Sequence, residues 1–134
     1  MRKIKFRAWD KEDGRWASED WELYIDLDGK LWGRFNDGKW TEVSHLFEIM
    51  QYTGLTDKNG KEIYEGDIIK YQGCFSFDYD DKDEMIEEVK FVNGAFTPIY
   101  LSERELHSYD DELMIVEDIE VIGNIYENKE LIKS

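Results

Sequence analysis

The clearest pattern along the chain is the alternation in KIKFRAW, residues 3–9, where Ile4, Phe6 and Ala8 interleave with Lys3, Lys5 and Arg7. A period of two puts alternate side chains on opposite faces, so the segment predicts a half-buried strand with one face in the core. A second alternation sets Trp21, Leu23, Ile25 and Leu27 against Glu22, Tyr24, Asp26 and Asp28, and a shorter run follows from Leu31 to Phe35. These runs predict strands pairing in sequence as an antiparallel meander.

Turn chemistry supports that reading. Asp13-Gly14, Asp28-Gly29 and Asp37-Gly38 each place a glycine, which accepts positive φ without strain, where a hairpin would reverse. Each is followed by a basic residue and then by a tryptophan, giving a loose repeat DGRW, DGKLW, DGKW. The glycines lie fifteen and then nine residues apart, too irregular for a solenoid of equal units. The tryptophans are therefore expected to pack in hairpins. The rival reading has them stacking on sugars or quaternary amines, as in tandem cell-wall-binding repeats.

Val43, Leu46, Phe47 and Met50 fall at helical spacing and predict a short helix over 42–48, passing into a strand through Phe47 to Tyr52. Asp57-Lys58-Asn59-Gly60-Lys61 is the sharpest hairpin signal in the chain, and Glu65-Gly66-Asp67 leads into a strand at Ile68 to Tyr71. Residues 74–88 mix aromatic and acidic positions with neither period and predict a mobile acidic loop, with order returning at Glu88 to Val92. A hairpin through Asn93-Gly94 brings back Ala95 to Leu101, where Pro98 lacks a ladder donor and so predicts an edge. Ser102 to Glu105 fits a capping box for a short helix over 102–109, and Leu113 to Tyr126 holds two β-branched runs expected as closing strands. The tail after Asn128 predicts a fraying helical turn.

With 134 residues the chain has the size of one domain, or of two small lobes, here 1–55 and 56–134, sharing a core. Five Trp, eight Tyr and seven Phe supply a packed interior despite 37% charged residues, so a disordered chain is excluded. The single Cys74 cannot form an internal disulfide, which predicts a reducing cytosol. No apolar stretch has the length of a signal peptide or of a membrane helix, so neither export nor insertion is expected.

Net charge is −15, distributed as +3 over residues 1–16, −6 over 17–73 and −12 over 74–134. A field of that sign repels nucleic acid and anionic lipid and attracts basic protein surfaces, so no direct nucleic-acid or membrane partner is expected.

No constellation in the sequence carries catalytic or metal chemistry. Counted from Asp78, the acidic tract places Lys82 and Asp83 where a calcium loop of the EF-hand type needs Asp or Asn and then Gly. His45 and His107 lack partners at metal-ligand spacing. A thiol dyad would need Cys74 beside one of those histidines, and the acids that follow would raise its pKa. Thirty-two acids make any chosen carboxylate pair for glycoside cleavage uninformative, and Gly54, Gly60 and Gly66 punctuate turns rather than cradle phosphate. No cofactor, metal or enzyme activity is expected.

Three segments, KIKFRAWD (3–10), IMQYTGLTDKNGKEIYEGDII (49–69) and IEVIGNIYENKEL (119–131), resemble the YopX family of phage- and prophage-encoded proteins. The resemblance implies a phage or prophage origin and residence in the bacterial host cytoplasm. It also implies an α+β, mainly β fold in two lobes, with a small SH3-like β-barrel in the C-terminal half. It supplies no catalytic residue. Tyr52, Asp57, Tyr64 and Asp67 read as turn and strand chemistry, with a partner-binding surface as the alternative; the acidic positions Asp78, Asp80, Asp81 and Asp83 are the other candidate contacts. The expected function is a non-enzymatic module that binds a host or phage protein, with self-association through a strand edge. The alternatives are an acidic nucleic-acid mimic that blocks a host DNA-binding enzyme and a small enzyme.

Overall fold

In the computed structural model, residues 3–18, 21–75, 83–97, 107–109 and 112–132 are described. They form an antiparallel, mainly β chain in two compact units, residues 5–50 and residues 1–4 with 51–134. The division falls between Met50 and Gln51, inside one strand, whereas the sequence suggested 55/56.

In the N-terminal unit, β1 (Phe6–Asp10) turns back at Gly14 into β2 (Arg15–Trp16), pairing Trp9 with Trp16. β3 (Glu22–Ile25), β4 (Leu31–Arg34) and β5 (Thr41–Glu42) form a separate three-stranded meander. The expected single meander is thus corrected. The Asp13-Gly14 turn returns the chain onto β1 at once, so β1 is flanked by β2 and by β6 (Phe47–Thr56) instead of by β3. Alternation along β3 and β4 sends Leu23, Ile25 and Leu31 inward to meet Val43 and Phe47, each buried side chain contributing about 1.5–3 kcal/mol. Gly33 lies among them; a Cβ there would sit 3.0 Å from Leu23 Cδ2 and 3.3 Å from Val43 Cγ2. The expected helix over 42–48 shrinks to a 3-10 turn, Ser44–Leu46, because Thr41–Glu42 pair with β4 and Phe47 already starts β6.

In the C-terminal unit, the rest of β6 pairs with β7 (Glu62–Tyr64), and a four-stranded sheet runs in the order β12-β13-β8-β9. Its strands are β8 (Asp67–Phe75), β9 (Asp83–Glu88), β12 (His107–Tyr109) and β13 (Glu112–Asn124). β13 is one strand where two were expected. Its register shifts between Glu117 and Glu120, beside Asp118 at φ +57°, and again between Val121 and Gly123; such bulges bend a strand without ending it. Ile63, Ile69, Tyr71, Val89, Val116 and Ile119 form the core of this unit.

Two further expectations change. Of the acidic loop over 74–88, Cys74 and Phe75 belong to β8, and Asp83–Glu88 form β9, paired from Gly73↔Asp83 to Ile68↔Glu88. The sequence lacks a strict period there, and the ladder offered by β8 overrides that weak local pattern. The end of the helix expected over 102–109 is β12, held in the β13 ladder from His107↔Met114 to Tyr109↔Glu112. Its beginning, with Pro98 and the capping box, lies outside the described residues. β10 (Lys90–Val92) and β11 (Ala95–Thr97) form the hairpin expected at Asn93-Gly94, with both turn residues at positive φ. The described residues are helical only in 3-10 turns at Ser44–Leu46 and Lys129–Leu131, so the chain is mainly β.

Candidate functional site

Asp57 starts a five-residue turn in which its backbone N–H donates to the Lys61 carbonyl (2.8 Å) and its own carbonyl accepts from Gly60 (3.0 Å). Its Oδ1 accepts the Asn59 and Lys61 amides, both at 2.9 Å, and Oδ2 accepts the Val121 amide at 2.9 Å. Asp57 is only 4% exposed. Burial pushes its carboxyl up, but the amides of Val121, Lys61 and Asn59, with the Lys61 charge, outweigh that and hold it below the ordinary value.

The same device recurs in the other unit. Asp26 donates to the Lys30 carbonyl at 2.9 Å, accepts from Gly29 at 3.0 Å, and its Oδ1 takes the Asp28 and Lys30 amides at 2.9 Å. Its Oδ2 takes the Trp32 indole N–H at 2.8 Å, and that bond, followed by the backbone amides, holds its carboxyl below the usual value. In both turns the glycine stands at φ +82°, a conformation that side-chain-bearing residues rarely adopt. The true internal repeat is therefore the pair Asp26-Leu27-Asp28-Gly29-Lys30 and Asp57-Lys58-Asn59-Gly60-Lys61, not the tryptophan triplets. The turn before β5 is different: Asn36 and Asp37, rather than Gly38, carry the positive φ.

The other sequence-derived candidates lie in the C-terminal unit. Tyr52 and Tyr64 are register partners whose rings approach to 5.5 Å, and Asp67, 2% exposed, accepts the Tyr64 amide at 2.8 Å through Oδ2. Asp83 opens β9 on the surface. Asp78, Asp80 and Asp81 lie outside the described residues. The structure brings Tyr52, Tyr64 and Asp67 together, and it engages Asp57 and Asp67 in backbone bonds inside the fold. His45 is exposed on the 3-10 turn. Among the described residues no three His, Cys, Asp or Glu side chains converge to hold a metal ion, and no helix is long and apolar enough to cross a membrane.

A cleft of about 610 Å³ lies within the N-terminal unit. Trp21, Phe35, Leu46 and Phe47 form its apolar wall, with Trp21 edge-on to Phe47 at 6.2 Å. Asp10, Glu12 and Asp13 reach it from the β1–β2 turn, and Asp37 from the β4–β5 turn. Arg15 and Arg34 also line it, and each is already engaged. Arg15 stacks over Trp21 at 5.0 Å and meets Asp13 at 3.5 Å; Arg34 stacks over Trp40 at 5.2 Å and grips Glu22 through a fork of 2.7 and 2.9 Å. That fork lowers the Glu22 carboxyl. Arg7 over Trp16, at 4.4 Å, is a third such stack. Three among the described residues of the unit 5–50 exceed the usual density of roughly one per 70–80 residues.

The YopX protein family matches residues 5–133, a span that takes in both units. The chain belongs to the YopX family. Among solved structures, it is similar to the crystal structure of protein EF1440 from Enterococcus faecalis, with 27% identity and a TM-score of 0.59 over 99% of this chain and 100% of that one. No curated protein matches the chain.

All five tryptophans of this YopX protein, Trp9, Trp16, Trp21, Trp32 and Trp40, lie in the N-terminal unit. The solvent face of β3–β5 carries Tyr24 stacked parallel to Trp32 at 6.4 Å and edge-on to Trp40 at 4.9 Å. Sequence reasoning singled out the Asp-Gly turns but missed the cleft, whose lining comes from β1, β3, β4 and β6. Asp13 and Asp37, from two of those turns, reach the cavity, but no spacing in the sequence connects them.

Proposed function

We propose that this YopX protein is a non-enzymatic protein-interaction module, encoded by a phage or prophage and acting in the cytoplasm of its bacterial host, with the N-terminal unit as its recognition surface. The observation that carries the reading is the cleft of about 610 Å³, a size suited to a peptide side chain and its neighbours, with an aromatic wall and a rim of carboxylates. Aromatic rings and arginines are the groups that dominate binding energy at protein interfaces. The C-terminal unit, with its bent β13 and closed core, serves as the scaffold. The SH3-like barrel implied by the family belongs to this proposal, supported by the bulged β8–β13 ladder around Ile69 and Val116.

The test is a pull-down from bacterial lysate with the tagged full chain, at low and high salt and with duplex DNA as competitor. Retained proteins are then purified and titrated against the wild type and against Phe35→Ala, a cleft residue 53% exposed. A protein held at high salt and bound about tenfold more weakly by the variant supports the reading. Capture only of DNA-binding proteins that DNA displaces would establish nucleic-acid mimicry instead, and turnover of a substrate by the pure protein would make it an enzyme.

A further inference from the structure

Asp10 ends β1 and is nine-tenths buried, at 9% exposure, yet it lines the cleft. Its Oδ1 is committed to its own turn, accepting the Glu12 amide at 3.0 Å and the Asp13 amide at 3.1 Å, while its backbone carbonyl accepts from Gly14 at 2.9 Å. Oδ2 accepts no hydrogen bond from any described residue. That oxygen is not fully enclosed, so a charged donor entering the cleft can reach it.

The charges around it sharpen the point. Arg15 is matched by Asp13 and Arg34 by Glu22. The remaining cleft carboxylates, Asp10, Glu12 and Asp37, meet no cation within salt-bridge distance among the described residues, so the cleft holds three uncompensated negative charges beside an apolar wall of Trp21, Phe35 and Phe47. A long cationic side chain complements both parts at once, its methylenes on the rings and its head among the carboxylates. The unit's own Arg7, Arg15 and Arg34 each stack on a tryptophan, which demonstrates the compatibility of its aromatic surfaces with a flat guanidinium.

From this geometry we infer that the cleft receives an arginine side chain from an exposed basic segment of a partner protein, with Asp10 as the deep anchor and Glu12 and Asp37 at the rim. This inference rests on the interaction reading given above and names the chemistry of its partner.

The experiment is calorimetric titration of the full chain with a blocked Gly-Arg-Gly-Arg-Gly peptide and with the same peptide carrying citrulline, which keeps the shape and loses the charge. The arginine peptide is expected to bind saturably and the citrulline peptide at least about tenfold more weakly. Asp10→Asn keeps the amide-accepting oxygen of the turn and removes the charge, so it should weaken binding by a similar factor. Should that variant unfold, the surface pair Glu12→Gln with Asp37→Asn is expected to lower affinity roughly fivefold. Asp83→Asn with Glu84→Gln removes equal charge from the C-terminal unit and is expected to leave affinity unchanged. No saturable binding, equal binding of citrulline, or equal weakening by both paired variants would overturn the inference. A lysate partner whose binding falls with Phe35→Ala in spite of those results would leave the interaction reading standing without the arginine.

Discussion

Asp57 ties its own turn to Val121, sixty-four residues further along the chain, through a single hydrogen bond of 2.9 Å from the Val121 amide to Oδ2. With the Asn59 and Lys61 amides on Oδ1, one carboxylate settles three backbone donors at a site where water is scarce. Removing it strands all three. Asp57→Ala is therefore expected to destabilise the protein by about 2–3 kcal/mol, whereas Asp57→Asn, which still offers one acceptor oxygen, should lose less. Urea denaturation of the two variants beside the wild type checks the order.

The depressed Asp57 carboxyl makes a statement about acid. A group whose value is lower folded than unfolded contributes stability that is complete above its unfolded value, about 3.9, and fades as pH falls through the folded one. Wild-type stability should thus decline from about pH 4 downward, and Asp57→Asn should show a shallower decline over that window. Urea midpoints for both proteins between about pH 5 and pH 3 measure the difference.

At Asp26 the indole of Trp32 is the foremost influence holding the carboxyl down. Trp32→Phe keeps an aromatic ring on the sheet face and removes the N–H. The Asp26 carboxyl should then titrate closer to its ordinary value, while Asp57 should not move, and carbon-detected NMR titration of the side-chain carboxyls resolves the two.

Gly33 is a matter of room rather than of backbone angle. A β-branched side chain there would press on Leu23 and Val43, already 3.0 and 3.3 Å from the position of its Cβ. Gly33→Val is expected to destabilise the N-terminal unit by about 1–3 kcal/mol, and Gly33→Ala by less, since the Leu23 side chain can give way. Thermal unfolding of both variants tests this.

What the sequence made legible was local. The Asp57 to Lys61 and Asn93-Gly94 turns, the β3–β4 hairpin and the passage from a helical turn into β6 all follow from residues within a few positions of one another. What it hid depends on distant partners. β9 has no periodicity of its own and exists because β8 presents a ladder, as at Tyr71↔Met85. β12 likewise owes its form to β13, against a capping signal that predicted helix. The pairing of Asp26 with Asp57 as equivalent turns was masked by the tryptophans, which drew the eye to the wrong repeat. The cleft gathers Asp10, Trp21, Asp37 and Phe47, which no spacing rule connects.

The confinement of all five tryptophans to residues 5–50 has an optical consequence. Excited at the red edge, where tyrosine does not absorb, the protein emits from that unit alone. Trp21, in the wall of the cleft, makes part of that emission a built-in gauge of whatever occupies it, with no dye attached.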